Sequence, residues 1–158
     1  MHLFEWLGLL LLFLCGIATG YVLALFEQRR TRQAEGFLSL LRHVRMQIDC
    51  FCLPVPEILA RLDRELLTDC GAPEGAQNFP ALLSQTKLWL PDEACALLAD
   101  FSKDLGSSYR EEQLRCCDYY LARLGPICEK LRAELPRRIR LAWLLPIALC
   151  TALILLLI

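Results

Sequence analysis

The sequence predicts an all-α protein: a helical bundle domain flanked by an N-terminal and a C-terminal transmembrane helix. Three observations predict it. Trp6 to Phe26 is 21 residues without a charge, and Leu141 to Ile158 is 18 without one. Every lysine and arginine lies between Arg29 and Arg140, and Glu5 is the one carboxylate outside residues 27–140. Within that charged middle, apolar residues recur at three- and four-residue spacing, with no strand-period run of useful length. The chain therefore divides into a span over 6–26, a bundle over 27–140 and a second span over 141–158.

At the rise of an α-helix the first span covers roughly 31 Å and the second roughly 27 Å. A hydrocarbon core of about 30 Å suits the first, and Arg137, Arg138 and Arg140 can snorkel to make up the shortfall of the second. A cleaved secretory signal is the competing reading of the first segment. Its leading residues Met-His-Leu-Phe-Glu carry no lysine or arginine, no convincing small-x-small cleavage site precedes Glu27, and the apolar run is longer than a usual h-region. The second segment has no polar face that a core helix would turn to water. Arg29, Arg30 and Arg32 follow the first span, and Arg132, Arg137, Arg138 and Arg140 precede the second, whereas the outer flanks carry none. The positive-inside rule puts 27–140 in the cytoplasm.

The first bundle helix is expected from Gln33 to Phe51, with Phe37, Leu38, Leu41, Val44, Ile48 and Phe51 on one buried stripe. Leu53-Pro54-Val55-Pro56 ends it, because proline excludes the residue before it from the α region. A second helix restarts near Pro56 and carries Ile58, Leu59, Leu62, Leu66 and Leu67 on its apolar face. Gly71 is placed to close it, within a loop over 69–75. A short helix is expected over Phe79–Leu83. Another opens at Pro91, runs through Ala94, Leu97, Leu98, Phe101 and Leu105, and stops at Gly106. Ser108 to Glu111 reads as a capping box. The last bundle helix carries a near-heptad seam of Leu114, Cys117, Leu121, Leu124, Ile127, Cys128, Leu131 and Leu135. Gly125-Pro126 either kinks it or divides it in two.

Catalytic equipment is missing. His2 lies in the terminal tail, and His43 reads as a surface residue among arginines, with no nucleophile placed beside it. There is no phosphate loop and no dinucleotide fingerprint, so the expectation is a non-enzyme without a cofactor. The net charge of −1 points away from nucleic acid as a partner. Nine cysteines suit reduced, packed thiols in a reducing compartment. Cys50, Cys52, Cys116 and Cys117 are the clustered soft ligands. Neither pair has the two-residue gap of a zinc site, so no metal is expected; a metal- or redox-sensing membrane protein using these pairs is the alternative reading. In the first span, Gly16 and Gly20 form a small-xxx-small motif that admits a second backbone: the other span, another copy or a different membrane protein. Pro146 is expected to kink the second span mildly.

Two stretches carry a family resemblance. Gln47-Ile48-Asp49-Cys50-Phe51-Cys52-Leu53-Pro54-Val55-Pro56-Glu57 holds an isoleucine, then proline, a branched apolar residue and glutamate. Leu105-Gly106-Ser107-Ser108-Tyr109-Arg110-Glu111-Glu112-Gln113 holds a Leu-Gly turn followed seven residues later by glutamine. With Gly20, the size and the two terminal spans, these resemble the stage III sporulation protein AB family of endospore-forming Firmicutes. Gln47, Cys50 and Tyr109 depart from the family's usual acidic residue, tyrosine and aspartate; Ser108 can supply the cap such an aspartate would give. The resemblance implies a non-enzymatic platform component of the channel between mother cell and forespore. Its place would be the mother-cell membrane around the forespore, with other channel membrane proteins beside it. The implied helical domain is similar to the cytoplasmic domains of type II secretion and type IV pilus platform proteins, and its implied partner is a companion secretion-type ATPase. The exposed charges near the two stretches, Arg45, Asp49, Glu57, Arg110, Glu111 and Glu112, are the candidate partner contacts.

Overall fold

Among the described residues, a helix of 50 residues and one of 48 flank four shorter helices. A computed structural model describes residues 2–73, 75–76, 78–106 and 109–157, with the backbone alone at 2–6, 9, 156 and 157. The order is α1 (His2–Phe51), α2 (Val55–Ala60), α3 (Arg64–Cys70), α4 (Phe79–Gln85), α5 (Asp92–Asp104) and α6 (Arg110–Leu157). No strand occurs among the described residues, so the protein is all-α. The expected cap Ser108 and the loop residue Glu74 lie outside the described residues.

The chain forms two compact units, one of Met1–Arg29 with Arg132–Ile158 and one of Arg30–Leu131. In the larger unit Phe37, Leu41, Val44 and Ile48 of the predicted stripe are buried, with Leu40 beside them, while Leu38 is half-buried. Phe51 is the exception: 65% of it is exposed. It has the angular position of the stripe, but α1 overshoots the core, and Ile48 is the last of its side chains to be covered. The chain then turns at Cys52, which adopts φ 52, the left-handed conformation usual for a residue just past a helix end.

The helix predicted after Pro54 is two helices. Pro54 takes the N-cap position of α2, and Arg61 leaves helical geometry at φ −102 and ψ 9. Asp63 then starts α3 from an extended conformation. Ile58 and Leu59 on one side of the break and Leu67 and Cys70 on the other reach the same core. Gly71 closes α3 in the left-handed region (φ 70), where a side chain would be strained; its N–H donates to the Thr68 carbonyl and that of Ala72 to Leu67. Asn78 caps α4 by accepting from the Ala81 N–H at 2.8 Å.

Gln33 is buried and fully used. Its Nε2 donates to the carbonyls of Cys70 (2.8 Å) and Lys87 (2.9 Å), and its Oε1 accepts from the Trp89 N–H (2.7 Å). One amide thus fixes α1 to the end of α3 and to the α4–α5 connection. Gly36 lies so close to α3 that a Cβ there would meet the Asp69 carbonyl carbon at 2.8 Å and the Cys70 nitrogen at 2.9 Å. Edge-to-face contacts of Phe79 with Phe101 (5.0 Å) and Phe101 with Tyr120 (5.4 Å) join α4, α5 and α6.

α6 runs unbroken through Gly125-Pro126. Proline removes the N–H that would bond the Ala122 carbonyl, but Ala122 and Pro126 are both exposed, so water can take its place. Cys117, Leu124, Cys128 and Leu131 of the seam are buried; Leu114, Leu121, Ile127 and Leu135 are half-buried.

In the smaller unit the first part of α1 lies against the last part of α6. A Cβ on Gly16 would come within 2.7 Å of the Cys150 Sγ, and one on Gly20 within 3.1 Å of the Ala142 carbonyl. Pro146 stands four residues after Ala142 and cannot donate to that carbonyl, so the C–H of Gly20 is left facing it. Many apolar side chains of the two helices face outward, among them Leu11 (67% exposed) and Leu155 (78%). Thr19 and Thr151 turn their hydroxyls back onto the carbonyls of Cys15 and Ile147, the habit of hydroxyls in an apolar environment. Both helices are long and apolar enough to cross a membrane.

Candidate functional site

The two stretches that carry the family resemblance meet in the larger unit. Ile48, Cys52, Leu53, Pro54, Val55 and Pro56 from the first, with Gly106, Arg110 and Gln113 from the second, line one open groove of about 320 Å³. The geometry follows from where the helices end. α1 terminates beside the start of α6, and Pro54 is extended just before α2 (φ −69, ψ 146). Gly106, at φ 90 after α5, returns the chain toward that end.

An ionic ladder fastens the two helices there. Arg110 donates to the carbonyl of Asp49 at 2.6 Å, to its carboxylate at 3.0 Å and more weakly to the Ile48 carbonyl at 3.4 Å. These carbonyls belong to the last turn of α1 and have no partner within the helix, so the guanidinium caps α1 and complements its dipole. Two helical turns along α6, Asp118 accepts a short hydrogen bond from Arg45 Nε and a second from Nη2 at 3.3 Å. Arg45 also lies 3.7 Å from Asp49, which completes a chain from Asp118 through Arg45 and Asp49 to Arg110. The hydrogen bond from Arg45 holds the Asp118 carboxyl below the usual carboxylate range, and the same bond raises the Arg45 pKa.

Of the six candidate contacts, the structure brings Arg45, Asp49 and Arg110 together and occupies them with one another. Glu57 pairs with Arg61 at 2.6 Å on α2 and its C-cap. Glu111 and Glu112 are exposed in the first turn of α6, where a negative charge suits the helix N-terminus. Sequence reasoning missed Asp118. The signal was present: Arg45 and Asp49 share a face at a spacing of four, and Arg110 and Asp118 share one at a spacing of eight, with opposite charges in reverse order. It also missed Gln33, whose polar side chain sits just outside the apolar stripe.

The sulfur chemistry divides by burial. Cys50 and Cys52 are exposed beside the groove, Cys116 is half-buried and Cys117 is buried. Burial pushes the thiols of Cys70 and Cys117 up to about 12 and that of Cys128 to about 11, which keeps them protonated. Among the described residues no group of three or more His, Cys, Asp or Glu is placed to hold a metal ion. His43 is half-buried, with its Nε2 at 3.5 Å from the Gln47 amide. What the arrangement offers chemically is a shaped, charged surface at the end of two long helices.

The sequence model of the stage III sporulation protein AB family matches residues 78–158, just over half of the chain. The matched part takes in the stretch Leu105–Gln113 and the C-terminal apolar segment, while Gln47–Glu57 lies outside it. No curated protein and no solved structure matches.

Proposed function

The chain belongs to the stage III sporulation protein AB family, which carries a role in sporulation, and from that premise we propose that it is a non-enzymatic membrane platform in the channel between mother cell and forespore. Two helices anchor it in the mother-cell membrane around the forespore, with residues 27–140 in the cytoplasm as a docking domain. A companion secretion-type ATPase binds that domain, and other channel membrane proteins surround the anchors. The observation that carries this reading is the extent of the family match, which runs unbroken from the bundle through the C-terminal apolar segment. The second half of the bundle and the apolar segment after it are thus matched together.

Physical features support the reading. Side chains such as Leu11, Leu144 and Leu155 are too apolar and too exposed for a surface in water. The Gly16 and Gly20 face against α6 gives the two spans a close-packed seam that does not depend on the hydrophobic effect. All the cationic flanks lie on the domain side of both spans. The test is co-purification of the companion ATPase with the full chain from membranes of sporulating cells. Retention of the ATPase by the wild-type chain is the expected result. Its absence, both in membranes and in detergent, contradicts the docking role.

A further inference from the structure

We propose that the groove between the end of α1 and the start of α6 receives a cationic, apolar segment of the cytosolic partner protein. The inference rests on the docking role above and deepens it by naming the surface and the chemistry it recognises.

The floor of the groove is apolar, formed by Leu53, Val55 and Pro56 with Gly106 opposite. Its volume of about 320 Å³ is at the bottom of the range for small-molecule pockets, and it is open along one side. That suits one or two side chains presented by another protein better than an enclosed small ligand. Two exposed aromatics adjoin the lining residues: Phe51 (65% exposed) precedes Cys52, and Tyr109 (88% exposed) precedes Arg110. Aromatic side chains left in water beside an apolar groove are the usual anchors of a protein interface.

Charge selects the occupant. The cations around the groove are already engaged within the chain: Arg110 by Asp49, Arg45 by Asp118 and Arg61 by Glu57. The first turn of α6 presents Glu111 and Glu112 outward, with one cation, Arg115, a turn further on, so carboxylates outnumber free cations at this edge. A segment bearing lysine or arginine beside a large apolar residue complements this surface. A second copy of this chain would bring like charge against like, and the phosphates of a lipid headgroup or of nucleic acid would be repelled in the same way.

Cys52 makes the proposal testable, because its thiol is exposed and lines the groove. The full chain, with Cys50→Ser to isolate the signal, is placed in lipid nanodiscs, and alkylation of Cys52 is followed with and without the companion ATPase. The expected result is protection of Cys52 by about tenfold or more at saturating ATPase. Reversing the outward charge with Glu111→Lys and Glu112→Lys should weaken ATPase binding by about tenfold, and raised salt should weaken the wild-type complex. Glu93→Lys, on the exposed first turn of α5, should bind as the wild type does. The double variant changes exposed residues only, and its unfolding midpoint reports whether the fold is kept. Val55→Glu, which places a charge in the groove, is the second probe. If the ATPase binds while Cys52 stays reactive and the variants bind unchanged, the groove is not the docking surface and the platform reading survives. Protection that depends on chain concentration without ATPase identifies a second copy as the occupant and overturns the proposal. No binding of the ATPase to the wild-type chain overturns the proposal together with the reading beneath it.

Discussion

At the residue scale, single atoms decide which substitutions the bundle accepts. Gly36 faces the backbone of Asp69 and Cys70, which cannot move aside as a flexible side chain would. Gly36→Ala should therefore destabilise the protein by about 2 kcal/mol, read as a lowered unfolding midpoint in detergent. Cys52 holds φ 52 at the end of α1, where a side chain costs about 1 kcal/mol and glycine costs nothing of that kind. Cys52→Gly should raise stability by up to about 1 kcal/mol. The buried thiols of Cys70, Cys117 and Cys128 have folded-state pKa values raised by burial to about 12, 12 and 11. Their unfolded values lie near 8.5, so above that pH the folded chain binds more protons than the unfolded one. Their contribution is fully present below about pH 8.5 and is lost as pH rises toward 11–12, by about 1 kcal/mol per pH unit for each thiol. Unfolding midpoints measured under reducing conditions across that range check the sign. An unchanged midpoint up to pH 11 contradicts it. At this scale the sequence was a partial guide: the stripe from Phe37 to Ile48 was legible from spacing. Gln33 was not, because its three partners lie 37 to 56 residues away and leave no local pattern.

At the element scale, what was legible is what depends on local physics. The prolines at 54 and 91, the glycines at 71 and 106 and the period of the seam in α6 each act within one or two turns, and the corresponding helix ends fall where they predict. The split of α2 from α3 was not legible, since Arg61-Leu62-Asp63 contains no breaker and the turn is imposed by the shared core. The same holds for Phe51, whose exposure depends on how far the core extends. Gly125-Pro126 stayed ambiguous in sequence because proline's effect depends on whether the freed carbonyl can be solvated, which is a matter of which face it lies on. The groove was half legible: both of its walls were singled out by resemblance, but their meeting is a tertiary fact. The seam between the apolar helices gives a direct prediction. A Cβ at position 16 lies 3.4 Å from that of Cys150, close to the separation of a disulfide. Gly16→Cys, with Cys15→Ala, should form an intrachain disulfide with Cys150 on oxidation in membranes. Crosslinks found only between chains would contradict the pairing of these two helices.

At the scale of the whole molecule, the chain is an all-α member of a sporulation family with two helices able to span a bilayer. Fixing a helical domain at both of its chain ends removes much of the freedom a single tether would leave it. In the proposed role, such a domain receives a partner that pushes or turns against it. The bundle pairs its candidate contacts Arg45, Asp49 and Arg110 at the surface to join α1 to α6, so fewer free charges are left for recognition than the charge pattern alone implied. The proposed docking role requires that domain to face the cytoplasm. The exposed thiols of Cys50 and Cys52 report its side directly, while Cys15 and Cys150 lie in the apolar segments. The decisive measurement is labelling with a membrane-impermeant maleimide of the chain produced in the plasma membrane of vegetative cells, in intact spheroplasts and in inverted vesicles. Labelling of Cys50 and Cys52 in inverted vesicles alone is the predicted result, and labelling of either in intact spheroplasts would contradict it.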